Sequence, residues 1–297
     1  MDEKETKKVI EAGKLASEVV KYAKSIIKKD MQLLEIANKI DEKILSLKAK
    51  PAFPVNLSIN EIAAHSTPAF NDETKAHGLF KVDIGIHIDG YVADTAFSID
   101  LENNEENKLL IKTAEEARDK ALELIKINST LREIGSIIEK TCKENNVQPI
   151  HNLSGHSISQ YTLHSGLTIP NFDNNSETKI IEGLYAIEPF TTLSSATGIV
   201  KDGKQSGIYH IEKEGNVRDN FARQVLQYMR EEYNTLPFCS RWIHKKFGTR
   251  GLLALRQIEQ SGLLHSYNQL IEKSGAKVAQ AEHSVLLTKK EKIITTL

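Results

Sequence analysis

Residues 81–97, KVDIGIHIDGYVADTAF, decide the fold of the surrounding chain because they predict a β-hairpin. Two arms of alternating apolar residues flank Asp89-Gly90, and an Asp-Gly pair in this setting favours a two-residue loop with a type I′ turn. Ile88 then pairs with Tyr91, and every other pair follows from that register. One face of the hairpin should be buried, and it carries Val82, Ile84, Ile86, Ile88, Tyr91, Ala93, Thr95 and Phe97.

Two aspartates interrupt the apolar arms of this hairpin. In the predicted register Asp94 lies opposite Gly85. Asp83 lies opposite Ala96, and because residues two apart on a strand share a face, both carboxylates point to the same side. Carboxylates that converge on a half-buried pocket repel each other, and a divalent cation removes the repulsion. The alternative is an amphipathic hairpin with both aspartates in solvent, and this segment alone does not decide between the two.

Glycine in the interior of a strand weakens it, so Gly85 requires a reason. Close approach of a ligand is one such reason, and we expect the metal and its water to occupy the gap above Gly85. A valine at this position favours a strand intrinsically. The expectation is therefore that Gly85→Val displaces the ions from between Asp83 and Asp94 while the fold survives.

The composition excludes several classes of protein. Lys and Arg number 39 against 40 Asp and Glu, and the net charge of −1 gives no reason to expect nucleic acid or a membrane as partner. The two cysteines, Cys142 and Cys239, are too few for a disulfide framework. No apolar run approaches the roughly 18 residues of a membrane span, and the charged N-terminus lacks the apolar core of a signal peptide. We therefore expect a cytoplasmic globular protein.

Apolar periodicity predicts a chain that alternates between helices and strands. Residues 4–49 carry apolar positions at helical spacing, and the prolines at 51, 54 and 68 exclude a long helix from the segment that follows. From Arg218 to about Ser266 the pattern is helical throughout, which predicts a helical subdomain, residues 218–266, inserted into a single domain of residues 1–297. The other predictions are helices over about 104–126 and 130–145, irregular β-structure over 148–200, a hairpin turn at Asp202-Gly203 and a closing strand at Ala281–Leu287.

Further polar residues interrupt apolar segments elsewhere: His156 and His164 in NLSGHSISQYTLHSG, Glu188 in LYAIEPF, and Glu282 in VAQAEHSVLLT. Each has an ordinary explanation alone, because a Glu at a strand end is usually solvated and a loop His usually forms hydrogen bonds. Together with the two hairpin aspartates they give one histidine and four carboxylates, a donor set suited to Mn²⁺, Fe²⁺, Co²⁺ or Zn²⁺. Four carboxylates carry more charge than one divalent ion neutralises, so the set predicts two ions, about 3.5–4 Å apart.

Four motifs, VDIGIHIDGYVADTAF, NLSGHSISQYTLHSG, YAIEPF and QAEHSVLLT, resemble in sequence and order those of methionine aminopeptidases of type II, the archaeal and eukaryotic kind. The resemblance extends from the first helix to the end of the chain, and it includes INEIAAHSTP near residue 60 and a helical insertion that ends in SGLLHSY. It implies an α/β pita-bread fold, in which two pseudo-symmetric halves enclose a dinuclear metal site on a curved antiparallel sheet. The chain lacks the charged N-terminal extension of eukaryotic members and so resembles the compact archaeal form.

Carried over position by position, the resemblance also implies the site residues. The implied metal ligands, with Asp94 and Glu282 bridging both ions, are Asp83, Asp94, His156, Glu188 and Glu282. His65 and His164 match the two histidines that contact substrate in the family. Tyr267 falls near a position that lines the methionine pocket.

The reaction implied by the resemblance is removal of the initiator methionine from nascent polypeptides whose second residue is small and uncharged. A hydroxide that bridges two divalent ions (Co²⁺, Mn²⁺, Fe²⁺ or Zn²⁺) attacks the peptide carbonyl. Glu188 is the implied proton acceptor. His164 is expected at the developing oxyanion and His65 at the scissile amide.

Two other functions remain open. A proline-directed relative of the same fold, an aminopeptidase P or prolidase, uses the same five ligands, although the helical insertion and INEIAAHSTP argue against it. A non-catalytic paralogue that binds ribosomes or RNA would have lost ligands, whereas all five are present here.

Residues 233–257 contain no acidic residue but five cations, which are Arg241, Lys245, Lys246, Arg250 and Arg256. A solvated helix face is the ordinary explanation, and a ribosome-docking patch is the other. No specific nucleic acid and no membrane partner are expected. The family resemblance suggests a monomer.

Overall fold

The computed structural model describes residues 1–297, which form six helices and sixteen strands. The helices are α1 (Glu3–Ile26), α2 (Leu33–Ser46), α3 (Glu105–Leu124), α4 (Leu131–Glu144), α5 (Asn220–Tyr233) and α6 (Ser240–Gln260). The strands are β1 (Lys50–Pro51), β2 (Asn56–Ile59), β3 (Ile62–Ala64), β4 (Leu79–Ile88), β5 (Tyr91–Asp100), β6 (Val147–Pro149), β7 (Ser154–Ile158), β8 (Thr168–Pro170), β9 (Gly183–Ile187), β10 (Phe190–Leu193), β11 (Val200–Ile211), β12 (Phe238–Cys239), β13 (Leu264–Glu272), β14 (Val278–Gln280), β15 (Glu282–Leu287) and β16 (Lys292–Ile294).

A nine-stranded antiparallel sheet forms the centre of the molecule. Its order is β1-β4-β5-β15-β9-β7-β8, with β2 beside β4 and β16 beside β15. Helices α1 and α2 bury the apolar face of the β4–β5 hairpin, whereas α3 and α4 bury the apolar residues of β8, β9 and β15. The helices thus cover one face of the two halves of the sheet, and the other face remains available for polar groups.

Two smaller sheets complete the β-structure. One contains β14, β10 and β6, and the other has the order β12-β11-β13-β3. The buried side chain of Lys81 joins β4 to the first of these, because its Nζ donates to the carbonyl oxygens of Val278, at 2.7 Å, and Asn60, at 2.9 Å. Helix α5 and helix α6 pack with residues of β11, β12 and β13 in a separate apolar cluster.

The central hairpin has the register that its sequence predicts. β4 and β5 pair without interruption from Leu79 and Asp100 to Ile88 and Tyr91. Asp89 and Gly90 have φ angles of 50° and 83°, the left-handed values that a type I′ turn requires. The predicted arrangement of the two aspartates is therefore confirmed.

Most helix predictions are also confirmed, and the helix starts show why. α1 and α4 each begin with a capping box, formed by Asp2 with Glu5 and by Thr130 with Glu133. α3 lies within the predicted 104–126 and begins after Asn104, whose side chain accepts a hydrogen bond from the Asn107 amide.

Two local predictions were wrong. The range 218–266 is not helical throughout, because β12 lies between α5 and α6 and β13 begins at Leu264. Asp202-Gly203 forms no hairpin turn, since neither residue has a left-handed backbone and β11 continues through them, with a register shift against β13. The strand predicted at 281–287 is confirmed as β15, and the short strand β16 follows and pairs with it. We propose that α5 and α6 form an inserted subdomain.

A buried ion pair fixes α6 to the N-terminal part of the chain. Arg241, which is 3% exposed, donates from Nη2 to Oδ2 of Asp41 on α2 at 2.9 Å. The indole nitrogen of Trp242 donates to the same oxygen at 2.7 Å. Arg241 therefore does not belong to the basic surface in which the sequence pattern placed it.

Two observations bear on the class of protein. Both cysteines are buried and unpaired. None of the helices combines the length and the apolar character needed to cross a bilayer.

The gap expected above Gly85 is filled by protein. A β-carbon added to Gly85 would overlap the ring of Phe53. Phe53 itself is 6% exposed and packs in an apolar cluster with Val92 and Ala186. The close approach that requires glycine here is therefore made by an aromatic side chain, and the expectation that metal and water lie above Gly85 was wrong.

The packing of Phe53 changes the expected effect of Gly85→Val. The valine should lower the free energy of unfolding of the metal-free protein by about 1–3 kcal/mol, because the ring must leave its site. Denaturation in urea measures this change. Phe53→Leu, which makes room, should reduce the cost of Gly85→Val in the double variant. A Gly85→Val protein with the unfolding midpoint of the wild type would contradict the packing described here.

Candidate metal centre

The register of the central sheet brings a row of polar side chains together on its open face. Asn56 on β2 pairs with Asp83 on β4, and Asp83 pairs with Ala96 on β5. Ala96 in turn pairs with Glu282 at the start of β15. Directly paired residues share a face, so Asn56, Asp83 and Glu282 lie in one row. Asp94, two residues before Ala96, joins the same face.

The second half of the sheet supplies an imidazole and a fourth carboxylate. His156 on β7 pairs with Ala186 on β9. Glu188 follows the end of β9, where Asn171 donates from Nδ2 to its carbonyl oxygen at 3.1 Å. Both halves of the sheet thus contribute to one cluster, and its members are distant in sequence.

Three of the five predicted ligands are close enough to share an ion. Asp94, His156 and Glu282 each offer one ligand atom, and these three atoms lie within 4.8 Å of one another. Glu188 borders this group, since its Oε1 lies 3.5 Å from Nε2 of His156. Asp83 is linked to Glu188 through Gln280, whose Nε2 lies 3.4 Å from Oδ2 of Asp83 and 3.5 Å from Oε2 of Glu188.

The hydrogen bonding of the cluster is incomplete in a way that fits a metal. Buried polar atoms in folded proteins are almost always paired. In this cluster several have no protein partner: Oδ1 of Asp83, Oδ1 of Asp94, both carboxylate oxygens of Glu282 and Nδ1 of His156. The donor set is oxygen with one imidazole and includes no thiolate, so the residues fit divalent ions of the Mn²⁺ to Zn²⁺ group.

The protonation of the cluster fits the same conclusion. Burial raises the pKa of Asp83 to about 7. Burial, and then the charge of Asp83, raises the pKa of Asp94 well above its usual value. The pKa values of Glu188 and Glu282 are raised in the same way, by burial and by neighbouring carboxylates. Without a cation, burial and mutual repulsion thus favour the protonated forms of these groups, and a bound cation would replace those protons.

The two histidines expected to contact substrate lie beside the cluster. The ring of His164 meets the ring of His156 edge-on, with 4.2 Å between centroids. His65 follows β3 with a left-handed φ of 55°, and its ring contacts Tyr267 edge-on at 5.2 Å. Burial lowers the pKa of His65 to about 4, and the nearby His164 adds to the shift. Loss of hydration also lowers the pKa of His164, so both are neutral at pH 7.

All eight predicted site residues line one cavity of about 360 Å³. Its other walls include the apolar side chains of Phe190, Ile208 and Leu270. The lining of the cavity thus combines carboxylates with apolar side chains, as ligand pockets commonly do.

Sequence reasoning missed two polar residues of this site. Gln280 is 1% exposed, and its amide contacts two of the carboxylates. Its position two residues before Glu282 was a usable signal, because residues two apart share a face in extended chain. Asn56 carried no such signal, since its place beside Asp83 depends on the pairing of β2 with β4.

His283 follows a proposed ligand directly in the sequence but lies outside the cluster. Its Nδ1 lies 2.9 Å from the hydroxyl of Thr296, and the residue does not line the cavity. Adjacent residues of a strand face opposite sides, which explains the difference from Glu282.

Comparison with known proteins gives consistent relatives. The family model described as metallopeptidase family M24 matches residues 7–288. A methionine aminopeptidase of Pyrococcus abyssi is 42% identical over 294 residues, which cover 97% of this chain and 98% of that protein. One of Methanocaldococcus jannaschii is 40% identical over 292 residues and 97% of both chains.

Solved structures show the same fold at low sequence identity. A methionine aminopeptidase from Thermotoga maritima has a TM-score of 0.72 at 19% identity and covers 100% of this chain and 98% of its own. A thermophilic Arx1 has a TM-score of 0.84 at 14% identity, and the match covers 99% of this chain and 91% of the Arx1 chain. A prolidase from Pyrococcus furiosus has a TM-score of 0.61 at 17% identity, and the match covers 100% of this chain and 64% of the prolidase chain. The predicted pita-bread fold is thereby confirmed.

The raised carboxyl pKa values predict how the stability of the metal-free protein depends on pH. Between pH 3.8, the unperturbed pKa of Asp83, and about 7, its folded pKa, the folded state holds a proton that the unfolded state has released. The free energy of unfolding should therefore fall as pH rises through this window, and Asp94, Glu188 and Glu282 act in the same direction. Urea denaturation at several pH values measures the slope. Asp83→Asn should flatten it.

Bound metal should reverse this dependence, because it requires ionised carboxylates and a neutral His156. The rise in melting temperature on adding Mn²⁺ should grow across the same pH range. Acid should remove metal and activity together, which atomic absorption and peptide cleavage can follow in parallel. Loss of activity at low pH with the metal still bound would contradict this account.

Proposed function

The chain belongs to metallopeptidase family M24 and, within it, to the archaeal methionine aminopeptidases, and we propose that it removes the initiator methionine of nascent polypeptides through the site described above. The observation that carries the proposal is the convergence of Asp94, His156 and Glu282 in a cavity of a chain that is related to these enzymes over almost its whole length.

We propose Asp83, Asp94, His156, Glu188 and Glu282 as the ligands of two divalent ions. The unpaired buried oxygens and the mutual elevation of the carboxyl pKa values support this assignment. Bound at these residues, divalent ions lower the pKa of water and polarise a carbonyl, which supplies a nucleophile near neutral pH.

Glu188 is the proposed proton acceptor. Its Oε1 faces His156 at 3.5 Å, whereas its Oε2 faces the amide of Gln280 at 3.5 Å. One carboxylate oxygen can therefore hold metal while the other takes the proton of the attacking water. Burial and the charges of Asp94 and Asp83 raise the pKa of Glu188, which makes it a stronger base than an exposed carboxylate.

His164 and His65 are the proposed hydrogen-bond donors to the peptide. Both are neutral at pH 7, so each offers one ring N–H and adds no charge to the site. His164, beside His156, is placed for the carbonyl oxygen on which charge develops. His65 is placed for the scissile amide. A single donor of this kind typically contributes about 10²–10³ in rate.

The apolar part of the cavity is the proposed pocket for the methionine side chain. Tyr267, Ile208 and Leu270 line it. Selection of a small, uncharged second residue follows from the carboxylates nearby, because an acidic side chain would be repelled and a large one would find little space.

Peptide cleavage tests the proposed function directly. Metal-free protein reconstituted with Co²⁺, Mn²⁺, Fe²⁺ or Zn²⁺ in turn should release methionine from Met-Ala-Ser. It should leave Ala-Pro, whose first residue is not methionine, largely intact, and mass spectrometry of the products distinguishes these outcomes. Cleavage of Ala-Pro without release of methionine from Met-Ala-Ser would assign the chain to the proline-directed enzymes instead.

A nascent-chain substrate places the enzyme near the ribosome, and we propose four cations of α6 as its contact. Lys245, Lys246, Arg250 and Arg256 are exposed, and the sequence from 245 to 256 contains no acidic residue. Neutralising all four should strongly reduce co-sedimentation with ribosomes at low salt. Changing Lys140 and Lys143 on α4 is the control for general loss of charge. Unchanged co-sedimentation of the fourfold variant would remove this contact.

We further propose a monomer that acts in the cytoplasm. All the proposed site residues come from one chain, and both cysteines are buried thiols.

A further inference from the structure

Asn56 lies at the end of the row of proposed metal ligands, but it is neither a proposed ligand nor one of the proposed catalytic residues. It pairs with Asp83, it is 6% exposed, and it lines the site cavity. Its Nδ2 donates to the carbonyl oxygen of Pro54 at 2.9 Å, which identifies Oδ1 as the free atom of the amide. This Oδ1 is buried and has no hydrogen-bond partner.

An unpaired acceptor at this place requires an explanation, because leaving a buried polar group without a partner is unfavourable. The other unpaired oxygen atoms of the cavity belong to the proposed carboxylate ligands, and metal would satisfy them. Asn56 is neutral, it lines the substrate cavity beside Asp83, and its Oδ1 is the acceptor that lacks a partner. The missing partner is therefore a donor that enters the cavity with the substrate.

The chemistry of an aminopeptidase limits which donor this is, and this step rests on the proposed function. The free α-amino nitrogen of the substrate is two bonds from the carbon that is attacked. When that carbon lies against the carboxylate cluster, the amino group must lie within a few ångströms of the same row. The scissile amide N–H lies on the other side of the attacked carbon, where His65 is its proposed partner.

We propose that Asn56 is a substrate-binding residue whose Oδ1 accepts a hydrogen bond from the free α-amino group of the N-terminal methionine. The Pro54 carbonyl holds the amide in the orientation that presents oxygen to the cavity. Asn56 thereby contributes to selection for a free amino terminus without adding a fifth negative charge to the site.

Two ligands that differ only in the amino group test this proposal. L-methionine has the group, and 4-(methylthio)butanoate is the same molecule without it. Binding of each to Mn²⁺-loaded protein is measured by isothermal titration calorimetry. Asn56→Ala should lower the affinity for L-methionine by about ten-fold, which corresponds to the loss of one hydrogen bond to a charged group. Affinity for 4-(methylthio)butanoate should not change.

Asn56→Leu separates loss of the acceptor from a change in volume. Alanine enlarges the cavity and leucine fills it, so an effect common to both variants and confined to L-methionine supports the proposal. Ser58→Ala is the matched control. Ser58 lies on the same strand, is buried with an unpaired hydroxyl, and does not line the cavity, so its variant should bind both ligands as the wild type does.

Several results would overturn the proposal. Equal weakening of both ligands by Asn56→Ala would mean that Asn56 only shapes the pocket, and unchanged affinity for both would remove any role. A fall in bound Mn²⁺ per chain would make Asn56 a metal ligand. Failure of the proposed function is distinct from these outcomes, since it appears as a wild-type protein that does not cleave Met-Ala-Ser.

Discussion

The repulsion among four carboxylates in one buried pocket is the constraint on which this structure depends. Asp94 and Glu282 are nearly inaccessible to solvent, and the charge of Asp94 raises the pKa values of both Glu188 and Glu282. Such a cluster is unfavourable unless protons or cations neutralise it. The scaffold must therefore hold the carboxylates in place against their repulsion, and it does so with paired backbone rather than with neutralising side chains. The one buried lysine nearby, Lys81, donates to two backbone carbonyls and not to the carboxylates.

The rigid part of that scaffold is the central sheet, in which strand pairing fixes the distance between ligands that are far apart in sequence. Glu282 is 188 residues beyond Asp94, yet β15 pairs directly with β5. On the covered face, α1 and α2 pack behind the hairpin and α3 and α4 pack behind β9 and β15. Apolar burial of this size stabilises the sheet and so offsets the electrostatic cost of the polar cluster on its other face.

Local sequence was sufficient for the hairpin and insufficient wherever the deciding contact was distant. Asp89-Gly90 predicts its turn because it lies between two arms that pair with each other over ten positions, whereas Asp202-Gly203 lies within β11, which β13 holds extended. The space above Gly85 was expected to hold metal and water, because the packing of Phe53 against it cannot be inferred from sequence spacing. Arg241 was assigned to the surface because its partner, Asp41, is 200 residues away. The proposed ligands were found because motif resemblance carries long-range information that periodicity does not.

The proposed metal ligands and the proposed methionine pocket lie on different sheets. This separation explains why a fold shared with a prolidase does not determine substrate specificity. The proposed metal ligands lie on the central sheet or, for Glu188, directly after one of its strands. The residues proposed to line the pocket for the methionine side chain belong to the small sheet β12-β11-β13-β3, where Ile208 lies on β11 and Tyr267 and Leu270 lie on β13. The helices α5 and α6 pack against that same small sheet. Specificity can therefore change with the small sheet and its helical cover while the geometry of the carboxylates, fixed by the central sheet, stays the same.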